Sequence, residues 1–251
     1  MKNKLKILII TLITFVIILV IIYITVFILA KQKKIFINKW FVNEKNNIIG
    51  VDVSSYQGSI NMNELKNQNI EFIYIKATEG SKMQDSKFEE NWKNAKSAKL
   101  LSGAYHFFSY DSKGKTQAEN FIKTVGSDIK GRLIPTVDVE YYGDKEKNPP
   151  DKEDVVRELK IFLETIEEEY KVKPLIYTRP DIYNKYLKGE FKEYKKWISS
   201  VYTPLSWNYK DDWYIWQYLN RGKLKGYNGK EKYIDLNCIN KNKKLEELIV
   251  R

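Results

Sequence analysis

Short apolar runs alternate with amphipathic stretches from residue 48 towards the end of the chain. The apolar runs have the length and composition of β-strands, and the stretches between them place apolar residues at helical spacing. This alternation is typical of parallel βαβ units. The predicted strands are residues 48–53, 71–78, 102–110, 132–140 and 173–178, and the predicted helices are 61–69, 85–100, 115–125, 150–170 and 180–188.

The last part of the chain departs from this alternation. Three strand-like runs follow at 195–202, 212–218 and 232–237, with less helical sequence between them. Five strand–helix units and three further strands predict an α/β fold, a modified TIM-like (β/α)5(β)3 barrel. An open doubly wound sheet is the alternative, although the glycine-rich phosphate turn of a dinucleotide-binding sheet is absent from the sequence.

The N-terminal part of the chain follows a different pattern. Residues 7–30 form an apolar run that contains no charged residue. This run is long enough for a membrane-spanning helix and too long for the apolar core of a secretory signal. We therefore expect a transmembrane signal anchor, with a cleaved signal as the alternative. Residues 1–6 are then cytoplasmic, residues 31–46 form a basic juxtamembrane linker, and residues 47–251 form one domain.

Positive charge does not decide which side of the membrane this domain occupies. Cytoplasmic flanks of membrane helices are enriched in lysine and arginine. Here both flanks carry three lysines, which are Lys2, Lys4 and Lys6 before the apolar run and Lys31, Lys33 and Lys34 after it. The function of the domain must therefore decide the orientation.

The formal net charge of +11 favours anionic partners such as envelope polymers or lipid headgroups, unless the lysines serve mainly solubility. The lysines are scattered, and neither zinc-finger nor helix-turn-helix spacing is present, so nucleic acid is not expected as a partner. One histidine and one cysteine cannot form a metal cluster of those ligands, and no acidic calcium loop is visible. We expect no metal and no cofactor.

Acidic residues stand at the ends of several predicted strands. The run "LIPTVDVE" ends in Asp138 and Glu140, which lie two residues apart and therefore share one face of a strand. Asp52 and Asp235 are placed at the ends of the first and last strands, and strand ends face the active site of a β/α barrel. Crowding and burial raise carboxyl pKa values, and glycoside cleavage needs one protonated and one charged acid. The alternative is a cation-binding or salt-bridged acid pair.

Aromatic residues surround the same predicted mouth, and aromatic planes pack well against the apolar faces of sugar rings. They are Tyr56, Tyr105, Phe107, Tyr141, Tyr142, Trp216 and Tyr218. For Phe107 and Trp216 a place in the core is an equal alternative. His106 lies out of phase with its neighbours and is expected to be a buried, hydrogen-bonded residue, and Cys238 is expected to be a packed thiol.

Seven short motifs occur together and in order: "GVDVSSYQG", "YIKATEG", "GAYHFF", "PTVDVE", "PLIYT", "WQY" and "IDLN". This set resembles glycoside hydrolase family 25, the Chalaropsis-type lysozymes, over about residues 48–238. The resemblance implies a barrel of five βα units and three further strands. It also implies hydrolysis of the β-1,4 bond between N-acetylmuramic acid and N-acetylglucosamine in peptidoglycan. The segment "KKWISSVYTPLSW" departs from the family pattern. The resemblance therefore does not extend to contacts at the rim and to substrate preference, whereas the acid pair is unaffected.

The resemblance also implies roles for individual residues. Glu140 is the general acid and Asp138 its charged partner, either as a nucleophile or, as we favour, by steadying the N-acetyl group of the substrate. Placement on one strand favours this second role because a nucleophile attacks from the opposite face of the sugar. The supporting substrate-binding residues are expected to be Asp52, Asp235, Tyr105, Tyr56, Glu79, Tyr141, Trp216 and Gln217.

Two other functions stay open from the sequence: a glycan-binding barrel without activity, and a chitinase-like hexosaminidase. The first predicts a damaged acid pair, and the second predicts that the first and third of the seven motifs are missing. As a muramidase the domain would face the cell wall, on the outside of the membrane that holds the anchor. A role in a larger envelope-spanning assembly is a further hypothesis.

Overall fold

Eight strands close into a barrel in the computed structural model, which describes residues 2–32, 34–127 and 129–251. Met1 and Lys33, both within predicted segments, lie outside the described residues. A short strand, β3, forms a hairpin with β2 outside the ring. The strands are β1 Ile49–Val53, β2 Phe72–Glu79, β3 Met83–Gln84, β4 Leu101–Phe107, β5 Thr136–Val139, β6 Leu175–Thr178, β7 Lys196–Ser199, β8 Ile215–Gly222 and β9 Ile234–Ile239.

Helices follow five of the barrel strands, as the hydrophobic pattern predicts. They are α2 Met62–Lys66, α3 Phe88–Ser97, α4 Gly114–Val125, α5 Lys152–Tyr170 and α6 Pro180–Ile182, which a π-helical turn, Tyr183–Leu187, continues. In α5, the Asp151 side chain caps the first turn by accepting hydrogen bonds from the backbone N–H groups of Glu153 and Asp154. The predicted (β/α)5(β)3 arrangement is confirmed.

The last strand runs against the others. The strands β1, β2 and β4 to β8 pair in parallel with one another around the barrel. β9 closes the barrel and pairs antiparallel with both β8 and β1. Asp235 therefore lies at the beginning of β9 and directly opposite Asp52 of β1. The prediction that Asp235 ends its strand is wrong. The antiparallel direction nevertheless brings the start of β9 to the same mouth as the ends of the parallel strands.

Polar and aromatic side chains, rather than aliphatic ones alone, fill the barrel interior. Trp197 of β7 packs against Tyr74 in a tilted arrangement and against Tyr177 edge to face, with ring centroids 4.9 and 4.8 Å away. Its indole nitrogen donates a hydrogen bond to Asn237 Oδ1 at 2.9 Å. Buried polar groups are stable only when they are hydrogen-bonded, so this layer gives the pocket above it a rigid floor.

The N-terminal helix α1, Lys2–Lys31, contains the predicted apolar run and is exposed over most of its length. It is long and apolar enough to cross a membrane. Its C-terminal end contacts the domain: Ala30 is fully buried, and the Phe27 ring lies 5.4 Å from that of Trp207. The Lys31 ammonium donates a hydrogen bond to Asn208 Oδ1 at 2.8 Å.

The predicted linker, residues 31–46, packs onto the barrel for much of its length. Ile37, Asn38 and Val42 are buried. The Asn38 side-chain amide donates to the backbone carbonyl oxygens of Ser200 at 2.6 Å and Tyr218 at 2.9 Å. Within the predicted linker, residues 37–44 therefore take part in the packing of the domain, because they bury apolar side chains and satisfy carbonyl groups of the barrel.

Candidate active site

A cavity of about 340 Å³ opens at the mouth of the barrel, where the parallel strands end. Barrel strands present their last residues to this face, and the side chains of alternate residues point inward. The cavity is lined by all four predicted acids, Asp52, Asp138, Glu140 and Asp235. Carboxyl groups that are distant in the sequence are thus gathered in one pocket.

Asp138 lies in β5, in register with Phe107 of β4 and Tyr177 of β6. It is buried, and its Oδ1 atom has no hydrogen-bond partner among the described residues. Burial and the nearby charge of Glu140 raise its pKa well above the usual value, while Lys76 opposes this shift. The Asp138 side chain lines the pocket, and its buried Oδ1 atom is not tied to any other described group.

Glu140 follows β5 directly and stands half-buried at the rim of the pocket. Burial raises its pKa to about 7, against the opposing positive charge of Arg179. The charge of Asp52 adds to the increase. A carboxylic acid with this pKa remains largely protonated up to neutral pH, as a general acid requires.

Asp52 and Asp235 form a cross-strand pair between β1 and β9, joined by a hydrogen bond between their carboxyl groups. Burial raises the pKa of Asp52, while hydrogen bonds from Asn237 and Gln217 oppose the shift. The pKa of Asp235 is raised well above its usual value by burial and by repulsion from Asp52. Two carboxylates this close resist ionising together, so the pair shares a proton.

A second layer of amides and hydroxyls fixes Asp52 in place. Its Oδ2 atom accepts hydrogen bonds from Asn237 Nδ2 at 2.7 Å and Gln217 Nε2 at 3.0 Å. Gln217 Oε1 in turn accepts from the hydroxyls of Tyr177 at 3.0 Å and Ser199 at 2.7 Å. Gln217 therefore lies in the pocket and holds an acid in position.

Three of the predicted aromatic residues line the pocket: Tyr56, Tyr105 and Phe107. Tyr56 is 65% exposed at the outer edge, where an exposed aromatic ring can pack against a sugar. Burial and the surrounding acids raise the pKa of Tyr105 well above its usual value, so its hydroxyl stays protonated. Phe107 lies beneath the Lys76 ammonium, which is 4.8 Å from the ring centroid.

Trp216 does not line the pocket. Gln217 points into the barrel, and neighbouring residues of a strand point to opposite faces. Trp216 is accordingly buried on the outer side of β8, where its indole nitrogen donates to the Ser200 carbonyl oxygen at 3.0 Å. Tyr218 lies on the same outer face and donates its hydroxyl proton to Glu44 at 2.9 Å.

Tyr141, Tyr142 and Glu79 also lie beside the pocket rather than in it. Tyr141 donates to the Tyr186 hydroxyl at 3.4 Å, and Tyr142 donates to Asp111 at 2.8 Å. Both side chains turn away because they follow the strand end and pack in a layer of tyrosines. Glu79 accepts from the Lys76 ammonium at 2.6 Å, and its negative charge contributes to the raised pKa of Asp138.

Several lining residues are not among the predicted site residues. They are Lys76, Tyr177, Asn220, Glu231 and Tyr233. A signal exists for the first two: Lys76 interrupts a buried strand, where lysine is rare unless paired, and Tyr177 stands near the end of a strand that leads into the mouth. The other three lie on late loops and strand ends without periodicity.

His106 is fully buried outside the pocket, as predicted. Its Nδ1 atom is 2.7 Å from Thr78 Oγ1 and its Nε2 atom is 3.1 Å from Gln117 Oε1. Burial lowers its pKa to about 3, so the ring is neutral. Cys238 is also buried, which raises the pKa of its thiol to about 12. Within the described part of the chain, no three His, Cys, Asp or Glu residues form a metal-binding group.

Comparison with known proteins agrees with this geometry. The family described as Glycosyl hydrolases family 25 matches residues 51–227. A family 25 glycosyl hydrolase from Bacillus anthracis has 49% identity and a TM-score of 0.73, over 82% of this chain and 94% of that one. A lysozyme from Streptomyces coelicolor has 27% identity and a TM-score of 0.68, over 81% and 95%. An N,O-diacetylmuramidase from Arthroderma benhamiae is 28% identical over 65% of this chain and 74% of its own.

Proposed function

The chain belongs to glycosyl hydrolase family 25, and on that premise we propose that it is a lysozyme acting on peptidoglycan. It cleaves the β-1,4 bond between N-acetylmuramic acid and N-acetylglucosamine. The observation that carries this proposal is the position of Glu140, whose pKa is raised to about 7 in a pocket that it shares with Asp52, Asp138 and Asp235. Similarity to a lysozyme and to a muramidase supports the same substrate.

In the proposed mechanism Glu140 gives its proton to the glycosidic oxygen as the bond from that oxygen to C1 breaks. The acetamido oxygen of the same sugar attacks C1 and takes up the electron deficiency. Water then adds to C1 and breaks the bond between C1 and the acetamido oxygen, and Glu140 accepts the proton that this water releases. Asp138 holds the acetamido group through its carboxyl group, a role supported by its place in the pocket beside Glu140.

Asp138, Asp52 and Asp235 stabilise the positive charge that develops on the sugar during cleavage. As the sugar becomes positively charged, ionised forms of Asp138, Asp52 and Asp235 are favoured because opposite charges attract strongly in a buried site. Gln217 and Asn237 keep Asp52 in place for this purpose. Tyr105 donates from a hydroxyl that does not ionise at working pH.

The alternative functions have less support. A glycan-binding barrel without activity does not need four intact acids in one pocket, and all four are present. A chitinase-like hexosaminidase is not favoured by the similarity to lysozymes and muramidases. Peptidoglycan hydrolysis therefore remains the function with the strongest support.

The apolar N-terminal helix is either a membrane anchor or a signal sequence by its composition. We propose that it is a retained anchor with residues 1–6 in the cytoplasm and the catalytic domain facing the wall. The contacts of Ala30, Lys31 and Phe27 with the domain support retention, because cleavage after the apolar run would remove part of a packed contact. A role in an envelope-spanning assembly is a further hypothesis, and no contact among the described residues supports it.

Digestion of purified peptidoglycan by the full chain in detergent tests the proposed activity. We expect new reducing ends that carry muramic acid, identified by mass spectrometry. Glu140→Gln removes the proton donor at nearly constant shape and is expected to lower the rate by about 10²–10⁴-fold. Asp144→Asn, the same change on an exposed loop residue, should cut at the wild-type rate.

Two results would contradict the proposal. Glucosamine at the new reducing end would indicate the hexosaminidase reaction instead. Binding of the wall without any product from the wild-type chain would indicate a glycan-binding barrel.

A further inference from the structure

A second cavity, of about 680 Å³, meets the catalytic pocket at Glu140. The two cavities share Glu140, Tyr177, Gln217, Asn220 and Asp235 as lining residues. The proposed proton donor therefore stands at the boundary between them. A glycan chain whose scissile oxygen lies at Glu140 has sugar units on both sides of that atom, and a single pocket accommodates only one side.

The outer end of helix α1 forms part of the wall of this second cavity. Ala30 and Lys31 line it, opposite Arg179 and Asn184. The helix end is fixed there by the hydrogen bond from Lys31 to Asn208 and by the packing of Phe27 against Trp207. A segment that would serve only to hold the protein in a membrane thus borders the surface next to the acid.

The chemistry of the lining fits sugars. Amide and hydroxyl groups from Asn184, Asn208, Asn220 and Ser199 provide neutral donors and acceptors, which suit hydroxyl and acetamido groups. The charge of Arg179 is already matched by Asp181 at 2.7 Å and Glu146 at 3.1 Å. The Lys31 ammonium contacts a neutral amide and has no acidic partner among the residues that the structure describes.

We propose that the second cavity binds the sugar units on the far side of the cleaved bond, and that Lys31 is one of their binding residues. This inference rests on the proposed function, since it assigns the same glycan to both cavities. The ammonium of Lys31 binds an acidic substituent of the strand, and muramic acid units carry a carboxyl group or the peptide attached to it. The membrane helix is then part of the substrate-binding surface.

Binding measured without cleavage tests this inference. In a Glu140→Gln background, the full chain in detergent is titrated with a disaccharide and with an octasaccharide prepared from peptidoglycan. We expect Lys31→Ala to weaken binding of the octasaccharide by about threefold to tenfold, the loss of one hydrogen bond to a charged group. Disaccharide binding should not change. Lys34→Ala, an exposed lysine that does not line the cavity, should leave both affinities unchanged.

A second substitution separates sugar binding from loosening of the helix. Asn184 belongs to the π-helical turn after β6 rather than to α1, so Asn184→Ala leaves the helix contacts intact. We expect the same selective loss of octasaccharide binding. Equal affinities of all variants for the octasaccharide, or an equal loss for both sugars, would overturn the inference.

The two proposals fail in different ways. If the wild-type chain does not cut peptidoglycan but Lys31 still contributes to octasaccharide binding, the proposed activity falls and the second cavity stands. If the wild-type chain cuts and the length dependence is absent, only the second cavity falls.

Discussion

At the scale of single residues, protonation in the pocket is controlled by the carboxyl groups of Asp52, Asp138, Glu140 and Asp235. Burial raises the pKa of each of them, and their mutual repulsion adds to the shift of Asp138 and Asp235. Such a cluster cannot be fully ionised at neutral pH, because each further negative charge is opposed by those already present. It therefore holds protons that an exposed set of acids would have lost.

The pKa of Glu140 predicts the alkaline limb of the pH–activity profile. A general acid must be protonated, so activity is expected to fall about tenfold per pH unit once the pH exceeds about 7. The measurement is kcat/KM on soluble glycan fragments between pH 5 and 9. A profile that stays level up to pH 9 would mean that another group provides the proton.

Asp138→Asn is expected to stabilise the fold at high pH while lowering activity. The folded pKa of Asp138 is above its unfolded value, so the folded state binds more protons and loses stability as pH rises. An amide resembles the protonated acid and avoids this loss. We expect the variant to be more stable by about 1–3 kcal/mol at pH 8.

Thermal unfolding of the full chain in detergent, at pH 4 and pH 8, measures this difference. The gain should shrink at pH 4, where the wild-type acid is itself protonated. Asp144→Asn should show no such pH-dependent difference, since Asp144 is exposed. A variant that is less stable than the wild type at pH 8 would speak against a buried, repelled carboxyl at position 138.

The sequence predicts the acids of the pocket better than its aromatic residues. Asp138 and Glu140 follow an apolar run at a two-residue spacing, and this pattern alone gives their shared direction. For Trp216 the sequence leaves the mouth and the core as equal alternatives, and Trp216 is buried on the face of β8 opposite to Gln217. Which of the two faces inward depends on the closure of the barrel, and a single strand does not show this.

At the scale of elements, the direction of β9 decides the composition of the site. An antiparallel last strand brings its first residues to the mouth, so Asp235 meets Asp52 there. Hydrophobic periodicity predicts that a strand exists but is the same in both directions. The five strand–helix units were predictable because parallel neighbours need a crossover, whereas the direction of the last strand had no comparable signal.

The segment from Ile37 to Glu44 is an element whose role the sequence did not reveal. Asn38 contacts residues that lie 162 and 180 positions further along the chain, and no local pattern predicts such contacts. Its neighbours Ile37 and Val42 are buried among residues of the domain. The segment closes over the outer side of β8 and connects helix α1 to the barrel.

Asn38→Ala is expected to destabilise this connection by about 1–3 kcal/mol, because the substitution removes hydrogen bonds to two carbonyl groups in a buried position. We expect faster cleavage within residues 34–46 by a dilute protease, measured by mass spectrometry. Lys39→Ala, an exposed neighbour, serves as the control. Equal cleavage rates in both variants would mean that Asn38 does not hold the segment.

At the scale of the whole molecule, the proposed orientation in the membrane can be tested by labelling introduced cysteines, because the natural Cys238 thiol is not expected to react. Cys238 is buried and its pKa is about 12, so it should not react with a maleimide. A cysteine introduced at the exposed position Lys147 is then a specific reporter of the domain. In intact cells with a permeable wall, we expect Lys147→Cys to react with a membrane-impermeant maleimide.

Lys4→Cys, on the other side of the proposed anchor, should react only after the membrane is opened. Labelling of Lys4→Cys in intact cells, with Lys147→Cys protected, would reverse the proposed orientation. Loss of residues 1–30 from the mature protein, seen by mass spectrometry, would show that the helix is a cleaved signal.

The folded course of residues 37–44 has a consequence for how far the enzyme can travel. If residues 31–46 formed an extended tether, these sixteen residues would span about 55 Å, and the domain could reach a thick layer of wall. Residues 37–44 instead pack on the barrel and add almost no length, and a domain of this size has a radius of gyration of roughly 16 Å. A retained anchor would therefore confine cutting to the thin shell of glycan next to the bilayer. Glycan strands further out in the wall would not be cleaved by this enzyme.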